Sequence, residues 1–154
     1  MNRLALLVAT CGHLGHVPVA PGTFGSAAGL VMFWAVRSTG SVSVEIAVIL
    51  ILLAAGIWSS TAAERHFGGI DPAPVVVDEV VGMLITLALL PVTTAGVVVG
   101  FLVFRVLDIV KPWPADRFEK LPGGLGIMAD DTMAALYGNL VMRGLMAVAP
   151  GWLG

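Results

Sequence analysis

The stretch Val75-Val76-Val77-Asp78-Glu79-Val80-Val81-Gly82 sets two adjacent carboxylates inside an otherwise apolar run. A charge at that depth costs roughly 3 kcal/mol on insertion scales, so such residues face a bundle interior or a wet cavity and mark a site. Neighbours on a helix point about 100° apart. One of the pair can therefore bind a ligand while the other supports it, or both can be first-turn charges favoured by the helix dipole. The rest of the 154-residue chain has the same character, with 58% hydrophobic and 12% charged residues and a mean hydropathy of +0.97. Globular chains carry about 25% charged residues. The balance excludes a disordered chain and a basic nucleic-acid binder and argues against a water-soluble enzyme. Length permits one domain, 1–154. The net charge of −2 offers no global electrostatic partner, and the single cysteine, Cys11, excludes a disulfide framework.

Five apolar segments follow one another at 23–36, 42–60, 75–90, 94–110 and 132–149. As helices they would be roughly 21 to 28 Å long, against a hydrocarbon core of about 30 Å. The expected fold is all-α: a small membrane bundle of about five apolar helices, some short or broken. The run 4–11 is half of a broken or interfacial helix, too short for a signal peptide's apolar core, so the start reads as mature sequence. Small residues such as Gly25-Ser26-Ala27-Ala28-Gly29 let helices approach closely where lipid supplies no hydrophobic drive. If the loop 111–130 is cytoplasmic, alternation brings 1–22 and 61–74 to the same side. Arg3, Arg65, Lys111, Arg117 and Lys120 are then inside and Arg37 outside. Every Pro-, Gly- and acid-rich stretch then shares the cytoplasmic face. The four Trp, at 34, 58, 113 and 152, fall near segment ends as an interfacial belt requires.

Arg105, Asp108 and Lys111 lie three apart before Pro112 and Pro114, which places them on one face near a helix end. They can compensate one another's charge, or hold a phosphate with Arg105 as a bidentate donor and Lys111 as a point charge. Asp130 and Asp131 follow Gly123-Gly124-Leu125-Gly126. One Asp there is an ordinary N-cap; a pair after a glycine-rich approach also suits a hard cation such as Mg²⁺. In 18–26 (PVAPGTFGS) a rigid turn opens a helix whose free N–H groups, with the hydroxyls of Thr23 and Ser26, can cradle an anion or simply cap the helix. His13, His16 and His66 lack partners at metal-ligand spacing and read as surface or interfacial residues. Asn139 and Arg143 read as helix glue and snorkelling. No cysteine-phosphatase loop follows Cys11, since Val17 stands where its Arg would be. No Asp-x-Asp pattern begins at Asp130, so a covalent nucleophile is absent from the expected chemistry.

Four stretches, 18–26 (PVAPGTFGS), 71–82 (DPAPVVVDEVVG), 104–114 (FRVLDIVKPWP) and 123–131 (GGLGIMADD), occur in order over most of the chain. Together they resemble the bacterial phosphatidylglycerophosphatase A family. The resemblance implies a Mg²⁺-dependent lipid phosphatase of the bacterial inner membrane, with its active site on the cytoplasmic side. Its substrate in the bilayer would be phosphatidylglycerophosphate, hydrolysed to phosphatidylglycerol and phosphate. On this resemblance Asp78, Glu79, Arg105, Asp108, Lys111, Asp130 and Asp131 are the expected catalytic residues. Thr23, Ser26, Arg105 and Lys111 are expected on the phosphate, and Glu79, Asp108, Asp130 and Asp131 on the metal. The alternatives are a membrane enzyme acting on another phosphorylated lipid and a non-enzymatic cation transporter subunit. No nucleic-acid partner is expected, and the oligomeric state is left open.

Overall fold

A computed structural model describes residues 3–154 and contains helices and connections, with no strand among the described residues. The helices are α1 (Arg3–Ala9), α2 (Pro21–Arg37), α3 (Val42–Phe67), α4 (Val77–Leu87), α5 (Thr94–Val110), α6 (Ala115–Phe118), α7 (Gly124–Val148) and α8 (Pro150–Leu153), with a 3₁₀ turn at Leu14–His16. Pro21 opens α2 at a position where its missing N–H costs nothing. Ser41 and Thr93 cap α3 and α5 by accepting from Val44 N and Gly96 N. Gly68, at φ 78°, ends α3.

The apolar segments and the helices differ at three places. First, α3 continues seven residues past the expected end at 60, because 61–67 are adequate helix formers and only the polarity changes there. Its 26 residues span about 39 Å. It is the one helix among the described residues long and apolar enough to cross a membrane, at a mean hydropathy of 2.3. Second, α7 begins at Gly124, not near 132. The glycine-rich approach is helical because Gly124 lies against the backbone of α3, where a Cβ would collide with Ile57 O. Its N–H donates to Thr61 Oγ1 at 2.9 Å. Asp130 and Asp131 are thus well inside the helix, and the N-cap is Gly123.

Third, the segment 75–90 forms only the 11-residue α4, about 16 Å long. It sits in the centre of the bundle against α2, α3, α5 and α7, and all its residues but Glu79 are buried. A helix that stops inside a bundle leaves carbonyls that lipid cannot satisfy. Here side chains from other helices satisfy them. Asn139 Nδ2 of α7 donates to the carbonyls of Ile85, Thr86 and Ala88 at 3.1, 3.1 and 2.9 Å. Glu45 Oε1 accepts from Leu89 N at 3.0 Å, Arg37 Nη2 donates to Leu90 O, and Arg37 pairs with Glu45 at 3.5 Å. The far end of the bundle thus spends its polar residues on broken backbone. Replacing Asn139 by Leu should cost about 2–4 kcal/mol, since buried polar groups left unpaired cost about 1–3 kcal/mol each. A fall in midpoint of denaturant unfolding in detergent checks this; an unchanged midpoint would contradict the role.

Helix α2 meets α4 along Gly22, Gly25 and Gly29. Added Cβ atoms at the last two would press on Val76 and on Met83 and Val80. The small-residue face expected from the sequence is therefore the one that lets these two helices touch.

Candidate active site

The acids gather where α4 begins, α2 begins, α5 ends and α7 completes its second turn. Asp78 and Glu79 stand in the first turn of α4, and Asp131 reaches them from α7. Ligand oxygens of Asp78, Glu79 and Asp131 lie within 4.8 Å of one another. Asp78 and Asp131 are each 4% exposed. Asp78 Oδ1, Glu79 Oε2 and Asp131 Oδ2 are buried and have no hydrogen-bond partner among the described residues. Orphaned carboxylate oxygens are expensive, and three carboxylates that bring ligand oxygens together are the donor set of a hard cation. Mg²⁺ fits them.

Arg105 lies beside this trio. Its Nη1 contacts Asp108 Oδ2 at 2.6 Å and Glu79 Oε1 at 3.8 Å, and donates to Ser26 Oγ at 3.5 Å. Ser26 is fully buried and donates to Gly22 O at 2.9 Å, so it orients Arg105 within the protein. Gly22 is needed because a Cβ there would collide with Glu79 Oε1 and approach Arg105 Nη1 to 3.1 Å. The anion nearest the first turn of α2 is therefore the protein's own Glu79. Thr23 is half-buried in the same turn.

Lys111 does not continue the Arg105–Asp108 face. It precedes Pro112, which disfavours the helical conformation, and it adopts φ 46°, ψ 64° as the C-cap of α5. Its Nζ is carried to a second acidic group, at 2.6 Å from Asp130 Oδ2, 3.4 Å from Glu119 Oε1 and 3.9 Å from Asp71 Oδ2. These three acids also come within 4.8 Å of one another. Burial pushes the Asp71 carboxyl up to about 6, against the opposing pull of Lys111. Cys11 is pushed up to about 11 by burial and then by the charge of Glu79, so it is a thiol and no nucleophile.

The four residues expected on the metal thus divide. Glu79 and Asp131 share one group, joined by Asp78; Asp130 belongs to the other, and Asp108 is held by Arg105. The sequence reading did not assign a role to Asp71, Glu119, Gly22 or Glu45. Asp71 carried a signal, as an acid heading the DPAP turn. Glu119 carried none, because its partner is set by the fold of the 111–123 connection. The three histidines are exposed, and Arg143 donates to Asn139, which donates to the end of α4.

A family model described as phosphatidylglycerophosphatase A matches residues 7–146. Phosphatidylglycerophosphatase A of Escherichia coli is 36% identical over 124 residues, covering 79% of this chain and 72% of that one. The Haemophilus influenzae protein of the same name is 34% identical over 144 residues, covering 92% and 88%. A putative phosphatidylinositol-3-phosphatase of Bacteroides thetaiotaomicron is 34% identical over 146 residues, covering 90% and 91%. No solved structure matches. A family match across nearly the whole chain, in a bundle whose acids and arginine converge at one end, places the chain in the phosphatidylglycerophosphatase A family.

Proposed function

We propose that this protein is a Mg²⁺-dependent phosphatase that hydrolyses the terminal phosphomonoester of phosphatidylglycerophosphate, yielding phosphatidylglycerol and phosphate. The observation that carries the reading is the trio Asp78, Glu79 and Asp131, with an orphaned oxygen on each, beside the guanidinium of Arg105 in a chain of this family. Mg²⁺ held by the trio would supply a Lewis acid for the phosphoryl group and lower the pKa of an attacking water.

The protein's own groups do the rest. The contacts of Arg105 with Asp108, Glu79 and Ser26 all fall on Nη1. Nη2 and Nε therefore keep their donors for the equatorial oxygens, where charge builds in phosphoryl transfer. Asp108 and Ser26 hold the guanidinium in place. Glu79 is pressed by the first turn of α2, whose dipole favours its charge. Lys111 offsets Asp130, Glu119 and Asp71 and so steadies the turn of α7 that presents Asp131. In this reading Lys111 is a positioning residue.

The proposed site of reaction is the cytoplasmic face of the bacterial inner membrane, and three observations support it. Only 17% of the apolar window of α3 is buried, where the core helix of a soluble protein would be mostly buried. Leu102, Val106 and Ile109 on α5 and Leu140 and Val148 on α7 are also exposed, an apolar outer surface that suits lipid. The site end carries Arg3, Arg65, Lys111, Arg117 and Lys120, and the far end Arg37 and Arg143. The relative named for a phosphoinositide supports a second reading, hydrolysis of another phosphorylated lipid. Phosphate release from phosphatidylglycerophosphate and phosphatidylinositol 3-phosphate in mixed micelles separates the two. A faster rate on the first is expected, and preference for the second would replace the substrate while keeping the chemistry.

A further inference from the structure

At the end of the bundle that carries the acids, a cavity of about 520 Å³ opens between α1, the α1–α2 connection and the last turn of α3. None of the residues placed in the active site lines it. Its lining has two chemistries. Arg3, His13, His16 and His66 supply a fixed charge and three imidazoles, and the leucines of α1, chiefly Leu4 and Leu7, supply an apolar slope. No carboxylate is among the lining residues. The imidazoles come from two elements 50 residues apart and meet around Phe67, whose ring lies 5.9 Å from that of His16 and 4.8 Å from that of His66. The rings of His13 and His16 are 5.6 Å apart. His13 is held there in a left-handed conformation, φ 75°, with its N–H on Thr10 Oγ1 at 3.1 Å. Leu4 and Leu7 are 61% and 43% exposed, so nothing among the described residues covers the apolar side.

A cationic, donor-rich pocket with no acid calls for an anion. An apolar slope continuous with it calls for hydrocarbon. We propose that this cavity is a second lipid site, which takes the phosphodiester headgroup of an anionic phospholipid from the surrounding leaflet while the first methylenes lie along Leu4 and Leu7. The proposal rests on the membrane placement above, since basic pockets at the cytoplasmic surface are where such headgroups bind. Chain neighbours of the lining residues Thr10 and His16 are tied to the catalytic segment: Val76 N donates to Ala9 O at 2.9 Å, and Gly15 lies against the backbone of Pro74, where a Cβ would collide with Pro74 O. The bound lipid therefore braces the residues that lead into Asp78 and Glu79. A soluble glycerol phosphate offers a related phosphoester head without the chains.

The test is native mass spectrometry of the full chain released from nanodiscs of equal phosphatidylserine and phosphatidylcholine. The wild type should retain phosphatidylserine over phosphatidylcholine by about 5-fold or more. A variant with Arg3→Gln, His13→Gln, His16→Gln and His66→Gln should lose that preference, and His66→Gln alone, on an exposed turn, should at least halve it. Asp131→Asn should keep it, which separates this site from the catalytic one whatever the substrate proves to be. Undiminished preference in the fourfold and single variants, or its loss in Asp131→Asn, would overturn the assignment. So would release of the bound lipid by millimolar glycerol phosphate, which would give the site to a soluble phosphoester.

Discussion

Asp131→Asn is expected to lower phosphate release by more than about 100-fold, since losing even a partner that only orients a metal ligand costs about 10–100-fold. The substitution keeps the volume of a fully packed side chain and removes one of the converging charges. Asp131 is 4% exposed and stands among Asp78, Glu79 and Asp108, so without metal the wild type holds like charges together at a cost. The variant should therefore unfold in EDTA at a temperature equal to or above that of the wild type. Adding Mg²⁺ should raise the wild-type midpoint, because a ligand that binds only the folded state stabilises it, by about 2.7 kcal/mol at a concentration 100 times its Kd. The variant should show little of that rise. A variant that loses activity yet keeps the full Mg²⁺-induced rise would remove Asp131 from the ligand set.

Arg105→Lys should lower kcat by about 10²–10³-fold, the usual result of deleting one preorganised donor to developing charge. The change keeps a positive charge within reach of Asp108, so the 2.6 Å ion pair has a replacement and the bundle should hold. What is lost is the planar fork, with Nη1 engaged by Asp108, Glu79 and Ser26 and the other nitrogens left for the substrate. Unchanged unfolding with a kcat loss under about 10-fold would mean that Arg105 serves the fold and leaves phosphate binding to another group.

The local signals were readable where they act locally. Pro21 marks the start of α2 and Pro112 the end of α5, because each sets its own and its neighbour's backbone. The small-residue stripe of α2 was visible as a close-packing face. The start of α7 was not, because glycine reads as a loop unless the facing helix is known; Gly124 is there for its approach to Ile57 and Thr61. The shortness of α4 was equally hidden. Its apolar run continues to Leu90, and the unwinding depends on Asn139, Glu45 and Arg37 from distant segments.

The acids themselves stood out, while their grouping did not. Asp130 and Asp131 are neighbours whose side chains point about 100° apart on a helix. One turns to Lys111 and the other to Asp78 and Glu79. The expected ladder of Arg105, Asp108 and Lys111 failed for a backbone reason, the left-handed conformation in which Lys111 ends α5. Spacing thus found the residues, and helix phase and helix ends decided their partners.

The most direct test of the account is phosphate release from phosphatidylglycerophosphate by the purified protein, with Mg²⁺ and then with excess EDTA. The account predicts release that EDTA abolishes and fresh Mg²⁺ restores. Release that persists in EDTA would contradict the metal role of Asp78, Glu79 and Asp131, and no release under either condition would contradict the proposed substrate.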